Sequence, residues 1–309
     1  MNRIKDIARH SNFIALINTI PADVPPRVGL NNDSRISVLA AQLVDSVRRI
    51  EYVNATSARS RSDALHTPYS GSFQPLAGAA AFLNGGKIED AYWLSYLATH
   101  FGMHKDDRWN LCEDFYGRFG QGGVWLWSEA SAEPTAVELW LNDIYPEVTG
   151  NGRSRRFGNH RKFETLKPGA KGTGHAITSY LNWINEYGSH QDMIASVQQQ
   201  VGQNPQEAFA FLYRDLDKVS KLGRLGKFDL LCNWSNLLIA PIIPDKAYII
   251  GSTGPKEGAR LLFGNNLPLR ALESACVRLS EHLNVSPQAI EDSLCNWQKS
   301  PEAYKYFRG

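Results

Sequence analysis

The chain has 309 residues, enough to bury a sizeable core as one large domain or two ordinary ones. Hydrophobic residues make up 43% and charged residues 21%, which excludes a disordered chain. A net charge of +2 leaves any affinity for nucleic acid to local clusters of basic residues. The longest early apolar run, Phe13 to Ile17, is too short for a membrane span, so a soluble protein without a membrane partner is expected. Cys112, Cys232, Cys276 and Cys295 lie far apart with no CxxC pair. Free thiols in a cytoplasmic setting are expected, with no metal site, iron–sulfur cluster or other cofactor.

Taken in order, residues 1–33 hold a short helix candidate followed by Pro21, Pro25 and Pro26. A helix is predicted from Ser34 to about Val53, with Ile36, Leu39, Leu43, Val47 and Ile50 on one face. Residues 54–71 turn polar and read as a loop, solvated or DNA-touching. Gly78 to Gly102 reads as a helical segment rich in Ala, Tyr and Trp. Within it, His100 is either a buried, hydrogen-bonded histidine or part of a base pocket. Trp93, Trp125 and Trp127 are candidates for stacking on a flipped base, against the commoner fate of aromatic packing between helices.

Between residues 146 and 174, Arg153, Arg155, Arg156, Arg161, Lys162, Lys167 and Lys171 stand against only Glu147 and Glu164. This stretch is read as a DNA-contacting surface, the alternative being a solvated loop. Asn159, His160, Arg161 and Lys162 gather four donors suited to phosphates or to the polar substituents of a modified base. Helices are predicted over 177–187, 193–200 and 206–218, the last started by Pro205. Further on, 267–283 is amphipathic, and Ser286-Pro287 and Ser300-Pro301 each read as the start of a short closing helix. Residues 247–250 are the one short strand candidate. The fold class is mainly α.

The chain is organised around Leu222-Gly223-Arg224-Leu225-Gly226-Lys227, a turn between two stripes of helical period. Gly223 and Gly226 are expected to let backbone approach a phosphate, with Lys221, Arg224 and Lys227 adding positive charge. Asp245 lies eighteen residues beyond Lys227. That arrangement resembles the helix-hairpin-helix DNA glycosylases, although the glycines here are three apart and no proline precedes them. The resemblance implies Asp245 as the catalytic carboxylate. Asp229 is the alternative, and Lys227 is either a nucleophile or a phosphate contact.

Five ordered blocks extend the resemblance: 73–75, 89–102, 157–164, 223–229 and 254–264. Together they are similar to the alpha-glutamyl/putrescinyl thymine pyrophosphorylase-related family, clade 3, over roughly residues 70–265. The resemblance implies a helix-hairpin-helix, glycosylase-like helical architecture with a cleft between lobes. It further implies a DNA partner and an enzyme that excises a modified base, glucosylated hydroxymethylcytosine being one candidate, from viral DNA in anti-phage defence. His160 joins the catalytic candidates, and Lys256 and Arg260 the DNA contacts. The expected organisation is a helical extension over 1–69, a catalytic core over 70–265 and a packed helical tail over 266–309, as a monomer. The alternatives are a thymine-hypermodifying transferase that installs an amine at a thymine pyrophosphate, and a non-catalytic DNA-binding protein. A P-loop is disfavoured, since residues 254–260 lack its spacing and its GK[ST] ending.

Overall fold

The structure, a computed structural model, describes residues 4–21, 24, 25, 27–59 and 61–307. Among these residues the fold is all-helical, with no strand and one isolated bridge between His104 and Arg108. The helices are α1 (Ile7–Asn18), α2 (Asp33–Arg59), α3 (Pro75–Asn84), α4 (Ile88–Phe101), α5 (Asn110–Tyr116), α6 (Trp127–Ala132), α7 (Pro134–Gly150), α8 (Thr173–Asn185), α9 (His190–Val201), α10 (Pro205–Asp215), α11 (Arg224–Asn236), α12 (Gly254–Phe263), α13 (Leu269–Leu283) and α14 (Pro287–Trp297).

Several local expectations are corrected. α2 runs on to Arg59, so the first part of the expected polar loop is helix. Its last turns are anchored where Ser57 Oγ donates to the Leu237 carbonyl and the Asn84 amide donates to that of Ser57. Within the helical segment 78–102, Gly86 at φ +77° turns the chain between α3 and α4, so that α4 is entered through Gly85-Gly86 and starts at Ile88 as expected. α6 and α7 lie largely where no element was predicted, α7 with a proline at its N-terminus. Residues 247–250 form no strand, and Ser300-Pro301 starts no helix.

Contacts divide the chain into two compact units, residues 1–52 with 244–309, and residues 53–243. The expected limits at 69/70 and 265/266 rested on the span of the family resemblance and not on contacts. The first unit has its own core, in which Phe13, Ile17, Leu39, Leu43, Leu262, Leu272, Leu279, Leu294 and Trp297 are buried together. Asp245 belongs to this unit. The Tyr248 hydroxyl donates to its Oδ1 at 2.7 Å, and Lys246 Nζ lies 3.5 Å from Oδ2.

The second unit is built around α4, which is buried from Ala91 to Phe101 on all its faces. A helix apolar all round is stable only when neighbours cover every side, and α3, α5, α9 and α11 pack against it. Its interior carries an aromatic stack in which Tyr96 and Tyr180 lie 3.6 Å apart. His190 is bridged there between the Tyr180 hydroxyl at 2.7 Å and Glu89 at 2.6 Å. α4 ends at Gly102, whose φ of +64° favours glycine. Directly above it crosses Gly158, whose N–H donates to the Phe101 carbonyl. A Cβ on Gly158 would lie 2.8 Å from the backbone of Gly102, so two glycines allow two backbones to cross in contact.

Candidate active site

The crossing at Gly158 fixes the start of residues 157–164, which continue as a short 3-10 turn over Asn159–Arg161. Arg161 Nε donates to the Thr99 carbonyl at 2.8 Å, fastening the loop to α4 a second time. On the other side, α10 begins with Asn204, whose Oδ1 accepts from the N–H groups of Gln206 and Glu207, and with Pro205 at the first position. The chain then turns through residues 219–223 into α11.

These two segments border a half-open cavity of about 280 Å³, lined by His100, His160, Arg161, Glu164 and residues 221–226. His100, His160, Arg161, Lys221, Gly223, Arg224 and Gly226 were all singled out from the sequence, and the fold brings them to one place. The turn works differently from expectation. Its left-handed residue is Lys221, at φ +64°, and neither glycine has a positive φ. A Cβ on Gly223 would meet open space, and one on Gly226 would meet only the Leu222 side chain at 2.7 Å. Gly223 is the N-cap of α11, which has no side-chain cap, so the positive end of that helix faces the cavity.

His100 is 4% exposed, and its Nε2 pairs with Thr173 Oγ1 at 3.2 Å. Burial pushes its pKa down to about 3, with Arg161 and Lys221 adding to the effect. At neutral pH it is an uncharged wall. Glu164, absent from the sequence-derived candidates, is the one carboxylate on the lining, and burial raises its pKa against the pull of Lys221 and Arg161. The only signal that could have found it is its place at the end of the 157–164 block.

Asp229 joins the site through Arg161, whose Nη2 lies 2.8 Å from its Oδ2. Lys227 points elsewhere: its amine is 2.5 Å from Asp217 Oδ1 and lies over the Tyr213 ring, and the residue is 7% exposed. Asn159 and Lys162 are exposed beside the lining, with Lys162 over the Phe163 ring. Trp93, Trp125 and Trp127 are buried and absent from the lining. Trp93 Nε1 donates to the Trp125 carbonyl at 2.6 Å, and its ring meets Trp127 edge-on, so these rings serve the aromatic interior.

Three arginines of the expected basic surface pair with aspartates. Arg155 and Arg153 flank the buried Asp114 at 2.7 and 3.0 Å, and Arg156 Nη2 lies 2.6 Å from Asp107. Lys256 and Arg260 sit on α12 in the other unit, where Arg260 pairs with Glu257 at 3.3 Å. No group of His, Cys, Asp and Glu among the described residues has the geometry of a metal site, and the cysteines are free. No helix among them is long and apolar enough to cross a membrane.

No curated protein and no solved structure matches the chain. The family model described as alpha-glutamyl/putrescinyl thymine pyrophosphorylase clade 3 matches residues 34–309, and so includes the 266–309 tail that the five-block resemblance left outside. A match over that span, holding both segments that line the cavity, makes the chain a member of the alpha-glutamyl/putrescinyl thymine pyrophosphorylase family, clade 3.

Proposed function

We propose that this protein is an enzyme of thymine hypermodification in DNA, which replaces a pyrophosphate carried by the base with an amine. The observation that carries the reading is the cavity wall: Lys221, Arg224, Arg161 and His160 surround the positive end of α11. Such a wall suits a leaving pyrophosphate, whose negative charge grows as its bond to carbon breaks. The exocyclic methyl carbon of thymine is the one sp³ carbon of the base that can carry that leaving group. The amine lone pair forms the C–N bond while the C–O bond breaks, and its electron pair leaves with pyrophosphate. The family's name supports the same chemistry.

Base excision is the second reading. It is favoured by the helix–turn–helix from α10 to α11 and by Asp229, which Arg161 ties to the cavity. In that case a carboxylate would stabilise the sugar cation as a modified base leaves, as in a defence glycosylase acting on glucosylated hydroxymethylcytosine in viral DNA.

The test is incubation with DNA carrying pyrophosphorylated 5-hydroxymethyluracil, with and without putrescine or glutamate, followed by mass spectrometry of the nucleosides. An amine-dependent mass gain with stoichiometric pyrophosphate release is expected. Abasic sites formed without added amine, from this DNA or from DNA with glucosylated hydroxymethylcytosine, would replace it with the second reading. DNA retention without chemistry would leave only a binding protein.

A further inference from the structure

Glu164 has a position that packing does not explain. Its side chain is 12% exposed, and its Oε2 is buried with no hydrogen-bond partner. The nearest cation, Lys221 Nζ, is 3.6 Å away, too far for a hydrogen bond. A buried carboxylate oxygen left unsatisfied is costly, and native structures keep few of them without a reason. The loop holding it is fixed by the Gly158–Gly102 crossing, by Arg161 on the Thr99 carbonyl, and by the Glu164 N–H on the Arg161 carbonyl. This is the one acidic side chain on a wall that also carries Arg161, Lys221 and Arg224.

Resting on the amine-for-pyrophosphate reading, we propose that Glu164 is the catalytic carboxylate that receives the incoming primary amine and takes its proton. The amine arrives as an alkylammonium ion and donates to the Glu164 carboxylate, the one acidic side chain on the lining. Its proton passes to the carboxylate, and the freed lone pair attacks the base-bound carbon. Pyrophosphate leaves with the electrons of the C–O bond, and the proton moves from Glu164 to the departing pyrophosphate. The product is a secondary ammonium, so charge and protons balance. Burial that raises the carboxyl's proton affinity, and cations that lower the ammonium's, narrow the gap this transfer must cross.

The test compares the wild type with Glu164→Gln in two measurements: calorimetric binding of inorganic pyrophosphate, and single-turnover amine transfer from pH 6 to 9. Pyrophosphate should bind both proteins, and the variant at least as tightly because a negative charge is gone. Turnover in the variant should fall on the order of 100-fold or more, the scale of general-base catalysis. It should also regain rate about tenfold per pH unit, since the variant must wait for amine that is already deprotonated. A carboxylate that merely neutralises Lys221 would change binding and leave both rate and pH slope as in the wild type, which would overturn the proposal. Failure of pyrophosphate to bind the wild type would instead overturn the reading of the cavity. Circular dichroism and melting separate either result from misfolding, and Glu164→Asp, which keeps the base but shortens its reach, should recover part of the rate.

Discussion

Lys221 and Lys227 are two lysines of one turn with different surroundings. Lys221 reaches the cavity from a left-handed backbone position, while Lys227 is held by Asp217 and the Tyr213 ring. Lys221→Ala should therefore weaken pyrophosphate binding about tenfold, the loss of one charge-assisted contact. Lys227→Ala should leave that binding within about twofold and lower stability by about 1 kcal/mol, since Asp217 is largely exposed. Calorimetry with thermal melts checks both, and borohydride should trap no adduct through Lys227. His100 makes a prediction about pH. Its folded pKa of about 3 lies below the ordinary 6.5, so the unfolded chain takes up the proton first as pH falls. The stability at stake is present above pH 6.5 and is lost between there and pH 3, by up to about 1.4 kcal/mol per unit. In His100→Gln, the stability lost between pH 7 and pH 5 should shrink by roughly 1–2 kcal/mol in denaturant titrations. An unchanged difference would show that the imidazole titrates freely.

At the scale of elements, the 151–164 segment divides into two functions. Its first half is a clamp on Asp114, which is 1% exposed and held by Arg153 and Arg155. Arg155 also donates to the Val148 carbonyl, binding the clamp to the end of α7. Arg155→Ala leaves a buried carboxylate short of its closest partner and should cost about 3 kcal/mol in thermal or denaturant unfolding. A change in the salt dependence of DNA binding without loss of stability would return Arg155 to the DNA-contacting reading. The second half, 157–164, carries His160, Arg161 and Glu164 to the cavity from the crossing at Gly158. Gly158→Ala forces a Cβ against the Gly102 backbone and should cost about 1–3 kcal/mol. Pyrophosphate binding should fall with it, although the exchanged residue lines nothing. Binding that survives the substitution would show that the loop is positioned by other contacts.

At the scale of the whole molecule, every residue on the cavity wall belongs to the 53–243 unit, while Asp245 belongs to the other. A substitution at Asp245 separates the two readings of function. If amine replaces pyrophosphate, Asp245→Asn should leave pyrophosphate binding and single-turnover amine transfer within about twofold of the wild type. If base excision is the reaction and Asp245 is its carboxylate, release of the base should fall by more than 100-fold while DNA binding persists. The family match runs through both units, from residue 34 to residue 309.

Much of this was determined by the sequence alone. Helical periodicity marked α8, α9, α10 and α13 within a few residues, because an apolar stripe must face a core whatever the neighbouring elements are. The blocks 89–102, 157–164 and 223–229 already contained most of the residues that line the cavity, with Lys221 and Leu222 just before the last of them. What only the tertiary structure decided is the partner of each charge. Arg155 and Arg161 are both arginines of one basic stretch, yet one is spent on Asp114 and the other reaches the site. Lys227 and Lys221 divide in the same way. Glu164 reads as a minor offset in a basic loop until the fold sets it, without a hydrogen-bond partner, among cations. Local pattern reports which face of an element is apolar, but a charge takes its meaning from groups far away in the chain, and their approach exists only once the helices have packed.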